Sequence, residues 1–133
     1  MIFRRTFTNR RRAVTDARHF TVAVLEGMPG EFVDSVVLMV SELATNAVLH
    51  ARSRFELTID CEDNGVVVVR VSDQSRGEAE PRNPRVTDLS GRGLQIVRAL
   101  ADDWGVQEPT ADWHKSVWFS LRVPDREAEP DSA

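Results

Sequence analysis

The chain has one cysteine, Cys61, among 133 residues, so it holds no internal disulfide framework and its usage fits a reducing compartment. Three histidines scattered beside that single cysteine lack the clustering that a structural zinc site needs. No apolar run approaches the ~20 residues that crossing a bilayer takes, and no signal-peptide pattern opens the chain, so a cytoplasmic protein without a membrane partner is expected. An excess of positive charge is also missing. Lys and Arg number 17 against 21 Asp and Glu, a net charge of −4. With no interleaving of basic and aromatic residues, this argues against a nucleic-acid binder. There is no internal repeat and no low-complexity tract.

What is present suits one globular domain with a real core, at 41% hydrophobic and 29% charged residues. The domain is expected over residues 1–124, followed by a frayed acidic tail over 125–133. Arg4, Arg5, Arg10, Arg11 and Arg12 crowd the start of the chain with no acid among them. They fit either an exposed strand edge and helix start or a docking surface for an acidic partner or for phosphates.

The strongest pattern is the stretch from Val37 to Ala51. On a helix, Val33, Val37, Val40, Ala44, Ala47 and Ala51 make one apolar side, and Leu38, Met39, Leu43, Val48 and Leu49 extend it most of the way round. Such a helix is normally buried. Glu42 and Asn46 interrupt it, one turn apart on a single face. An unpartnered buried carboxylate is costly, so the pair points to a polar cleft beside the helix. The Glu suits general-base work and the Asn oxygen suits a hard cation such as magnesium. The same two residues also fit a solvent-facing pair.

Around this helix, residues 1–8 read as a strand and 15–25 as a helix. Residues 54–61 alternate strictly, with Phe55, Leu57, Ile59 and Cys61 on one side. Asp63-Asn64-Gly65 signals a hairpin, and the return strand turns Val67, Val69 and Val71 inward. Continuing that alternation aims Asp73 at the core as well, unless it opens a turn as an Asx residue. Residues 74–90 break every pattern, and a loop of that length is usually functional or mobile. Gly91-Arg92-Gly93-Leu94 is read as opening the next helix, where glycines let backbone amides approach an anion. This is neither a Walker loop nor the dinucleotide fingerprint, since GxxxxGK[ST] and a third glycine are absent. Strands over 104–107 and 115–123 close the chain. The order implies an α+β fold, a two-layer sandwich with a mixed or antiparallel sheet and helices on one face.

Three of these segments together resemble the motif series of the histidine-kinase-like (GHKL) ATPases. They are Glu42-Leu-Ala-Thr-Asn46-Ala, Asp73, and Gly91-Arg92-Gly93-Leu94. The chain looks most like the small anti-sigma factor serine/threonine kinases of bacteria, in an Arg- and Val-rich actinobacterial version. Their helix often reads ELxxNAxxHA, and here it is ELATNAVLHA; their last strand often carries Gly-Lys-x-Val-Trp, and here it is His114-Lys115-Ser116-Val117-Trp118. The resemblance covers residues 1–123. It implies a Bergerat-type ATP-binding fold with ATP and Mg2+ as cofactors. Glu42 would be the general base and Asn46 the magnesium ligand. Asp73 would accept a hydrogen bond from the adenine amino group. Residues 74–90 would form a lid, and Gly77, Gly91, Arg92, Gly93, Leu94 and Lys115 would contribute to nucleotide binding. The implied partners are a sigma factor and an anti-sigma antagonist, with a homodimer expected and transcription regulated through partner exchange. One position departs from the family. Its glycine box reads Asp-x-Gly-x-Gly, whereas Ser75 stands at the first glycine here. A non-catalytic partner-switching module is therefore the alternative to a kinase.

Overall fold

A computed structural model describes residues 1–74 and 86–125, with 86–92 as backbone. In chain order the elements are β1 (Ile2–Phe7), α1 (Arg12–Val24), α2 (Gly30–Asn46), β2 (Phe55–Cys61), β3 (Val66–Asp73), α3 (Val86–Leu100), β4 (Asp103–Gln107) and β5 (Lys115–Arg122). A π-helical turn, Ala47–Ala51, prolongs α2. The strands form one open sheet in the order β1-β2-β3-β5-β4, and every neighbouring pair is antiparallel. The fold is α+β, with helices against one face.

The hairpin that joins β2 and β3 follows from its turn residues. Gly65 takes φ +86°, a region that side chains disfavour. Asn64 Oδ1 accepts from the Val66 amide at 3.1 Å. The register that results sets Leu57 opposite Val71, Ile59 opposite Val69 and Cys61 opposite Val67. Two aliphatic rows thereby share one face, and Phe119 and Leu121 of β5 join them. This face and α2 make most of the core, which Ala13 and Ala17 of α1, Val97 of α3 and Leu25 complete. Phe7 stacks on Phe55 at 5.2 Å between ring centroids and holds edge strand β1 to the same layer.

Helix α2 is rotated from the orientation that the sequence suggests. It buries Phe32, Val36, Met39, Val40, Leu43 and Ala44, while Val33 and Val37 are half-buried and Leu38 is exposed. A helix apolar nearly all round does not fix its own rotation. The contacts decide, and α2 packs between α1 and α3 as well as on the sheet. The sequence expectation of no span-length apolar run also needs correcting. Gly30–Ala51 is a continuous 22-residue helix with an 18-residue window of mean hydropathy 1.5, long and apolar enough by composition to cross a membrane. Its place beneath two flanking helices and on the sheet accounts for the same composition as that of a core helix.

Helix α3 begins at Val86, several residues before the expected start at Gly91. Residues 86–90 of the expected 74–90 loop are thus helical, and residues 75–85 lie outside the described residues. Gly91 and Gly93 are therefore interior to α3. A glycine there costs a helix about 1 kcal/mol relative to alanine, and for Gly93 a close packing contact explains the choice.

Candidate functional site

The topology gathers the polar residues at one end of the sheet. After Asn46 the π-helical turn carries the chain to Arg52, left-handed at φ 52°, and then into β2 at Phe55. Phe55 pairs with Asp73, the last residue of β3, and Asp73 pairs in turn with Lys115, the first residue of β5. The C-terminal end of α2 and the carboxylate end of β3 are thus neighbours by chain connection alone. Ser53 fastens this corner, accepting from the Gln74 amide at 3.0 Å and donating to the Arg54 carbonyl at 2.8 Å.

Asp73 is buried, at 4% exposure, as the alternation of β3 predicts. It is the final paired residue of the strand rather than the first of a turn. Its Oδ2 lies 3.9 Å from Lys115 Nζ, an ion pair at the long end of contact, and its carbonyl accepts from the His114 amide at 2.9 Å. Glu42 and Asn46 are half-buried on one face of α2. Gly93 of α3 abuts that face. A methyl at Gly93 would lie 2.8 Å from Asn46 Nδ2 and 3.8 Å from Glu42 Cβ. Leu94 follows Gly93 and is half-buried against the core. Gly91 and Arg92 lie on the α3 backbone, and Gly77 and Ser75 fall outside the described residues.

Sequence reasoning missed part of this corner. The Arg54 guanidinium sits over the Trp113 ring at 4.9 Å, and Gln74 Nε2 donates to the Asp112 carbonyl at 3.3 Å. These contacts join the start of β2, the end of β3 and the lead-in to β5. Next to them, His114 Nδ1 is buried and without a hydrogen-bond partner among the described residues. Only register reveals these neighbours, since they are far apart in sequence.

The donors fit a nucleotide with magnesium. Among the described residues no group of three or more His, Cys, Asp and Glu could hold a metal ion. Asn46 offers one hard amide oxygen, and magnesium characteristically takes few protein ligands, completing its shell with phosphates and water. The missing side chain at Gly93 lets the Asn46 head group lie against α3 without a clash.

A family model described as the histidine kinase-like ATPase domain matches residues 7–120. The chain belongs to that family. Among solved structures, the RsbU and RsbW domains of Rv1364c from Mycobacterium tuberculosis match this histidine kinase-like domain with a TM-score of 0.72 at 16% identity. The match covers 92% of this chain and 32% of that one, so the domain spans about a third of its neighbour. At that identity the likeness is one of fold. No curated protein sequence matches the chain.

Proposed function

We propose that this histidine kinase-like domain is an anti-sigma factor serine/threonine kinase. In this reading it binds a sigma factor and, with ATP and magnesium, phosphorylates an antagonist protein. The observation that carries the proposal is the placement of Glu42 and Asn46 one turn apart, facing α3 across Gly93, at the sheet end where Asp73 is buried. Asp73 would orient the base by accepting from the adenine amino group. Asn46 would hold magnesium against the phosphates, and Lys115 would add positive charge beside Asp73. Glu42 would take the proton from the attacking serine or threonine hydroxyl. Phosphoryl transfer depends mainly on such positioning and charge neutralisation. A cytoplasmic homodimer is part of the same reading, with β1 as a free, arginine-bearing edge.

Calorimetry with ATP, with and without magnesium, tests the site. Incubation of the domain with labelled ATP and a serine-bearing antagonist tests transfer. Magnesium-dependent binding with transfer supports the kinase. Binding without transfer favours the second reading, a partner-switching module that acts by protein contact. The Lys115–Asp73 ion pair favours that alternative, because it engages the carboxylate that adenine needs, as does Ser75 in the glycine box.

A further inference from the structure

We infer that Gly93 is a positioning residue for the Asn46 carboxamide, through the side chain it lacks. The inference rests on the reading of Asn46 as the magnesium residue. Gly93 lies well past the first turn of α3. A helix leaves unpaired only the amides of its first turn, so the Gly93 N–H belongs to the helix's own ladder. What glycine supplies here is the absence of a side chain. A Cβ would stand 2.8 Å from Asn46 Nδ2, closer than real Cβ contacts come, whereas Asn46 Cγ and Glu42 Cβ would lie at an ordinary 3.8 Å. The clash falls on the head group alone.

That distribution separates the fold from the site. A methyl group at Gly93 presses on the terminal amide group rather than on backbone, and alanine is the better helix former. The carboxamide is planar, however, and Nδ2 cannot move without carrying Oδ1 with it. The oxygen offered to the cation is displaced by the same movement. Turning the amide over changes nothing, since its oxygen then occupies the contested place. Glycine at this position therefore keeps a cation ligand in place at a cost in helix propensity.

The test compares the parent with Gly93→Ala by calorimetry of ATP binding, in magnesium and in EDTA, alongside the thermal midpoint. We expect the midpoint to hold or rise, affinity in EDTA to stay within about twofold, and the magnesium-dependent gain to fall about 10-fold, the effect typical of disturbing a ligand's support. In an Asn46→Ala background, Gly93→Ala should remove no further gain. An undiminished gain in Gly93→Ala overturns the inference. Equal losses in magnesium and in EDTA overturn it in favour of a phosphate cradle. Loss of the fold also overturns it, because atoms other than the amide head must then meet the methyl group. A parent that shows no magnesium-dependent gain refutes the ATP–magnesium reading itself, and that outcome is visible before any variant is made.

Discussion

Asp73 and Lys115 face each other across the β3–β5 ladder, with Lys115 Nζ 3.9 Å from Asp73 Oδ2. The carboxylate is buried while the ammonium is partly exposed, at 28%. The lysine can therefore turn to water if its partner changes. Asp73→Ala should leave the fold intact and remove the acceptor for a base amino group. Losing a hydrogen bond to a charged group costs about 2 kcal/mol, so ATP affinity should fall about 30-fold in magnesium and in EDTA alike. Unchanged affinity by calorimetry would remove Asp73 from the site.

Asn46 and Glu42 share a face of α2 but are assigned different tasks, and the two should separate in experiment. Asn46→Ala should abolish the magnesium-dependent part of ATP binding, with circular dichroism unchanged. Glu42→Ala should keep that binding and lose phosphoryl transfer to a serine-bearing protein. If Asn46→Ala bound Mg-ATP as tightly as the parent, the cation would have to be held elsewhere. If Glu42→Ala transferred phosphate at the parent rate, Glu42 would not be the base.

The rotation of α2 can be measured as a difference in stability. Met39 is fully buried and its neighbour Leu38 is 42% exposed. Truncating a buried Met to Ala typically costs about 3 kcal/mol, whereas Leu38→Ala should cost about 0.5 kcal/mol or less. Urea unfolding of both variants distinguishes the two. Similar costs would mean that the helix presents another side to the sheet.

The contrast between Met39 and Leu38 also marks what a sequence conveys and what it does not. The β2–β3 hairpin was legible because Phe55 to Cys61 alternate strictly and Asn64-Gly65 fixes the turn, so register and the inward side of Asp73 followed. Glu42 and Asn46 stood out because polar residues are costly in an apolar helix. The rotation of α2 was not legible, since nearly every position is apolar and three packed neighbours set the angle. The start of α3 was misplaced because Gly91 and Gly93 read as loop residues. The reason for glycine at Gly93 is a contact with Asn46, on a different helix. The burial of His114 and the Arg54–Trp113 pair were not legible for the same reason: long-range register makes them neighbours.

Cys61 gives a prediction that is independent of any ligand. It closes β2, half-buried opposite Val67. Burial pushes its thiol pKa up; the N-terminal ammonium nearby opposes this and Asp60 adds to it. The thiolate is the nucleophile, so native Cys61 should react with iodoacetamide more slowly at pH 8 than the same residue in urea-unfolded chain. The sign for stability follows from linkage. With the folded pKa above the unfolded value, the neutral thiol's contribution is complete below the unfolded pKa and is lost as pH rises through the folded one. Cys61→Ser removes this titration, so its stability should vary less than the parent's across the alkaline range. Equal alkylation rates in native and unfolded chains, or identical pH dependence of the two proteins, would show that the thiol is solvated as freely in the fold as outside it.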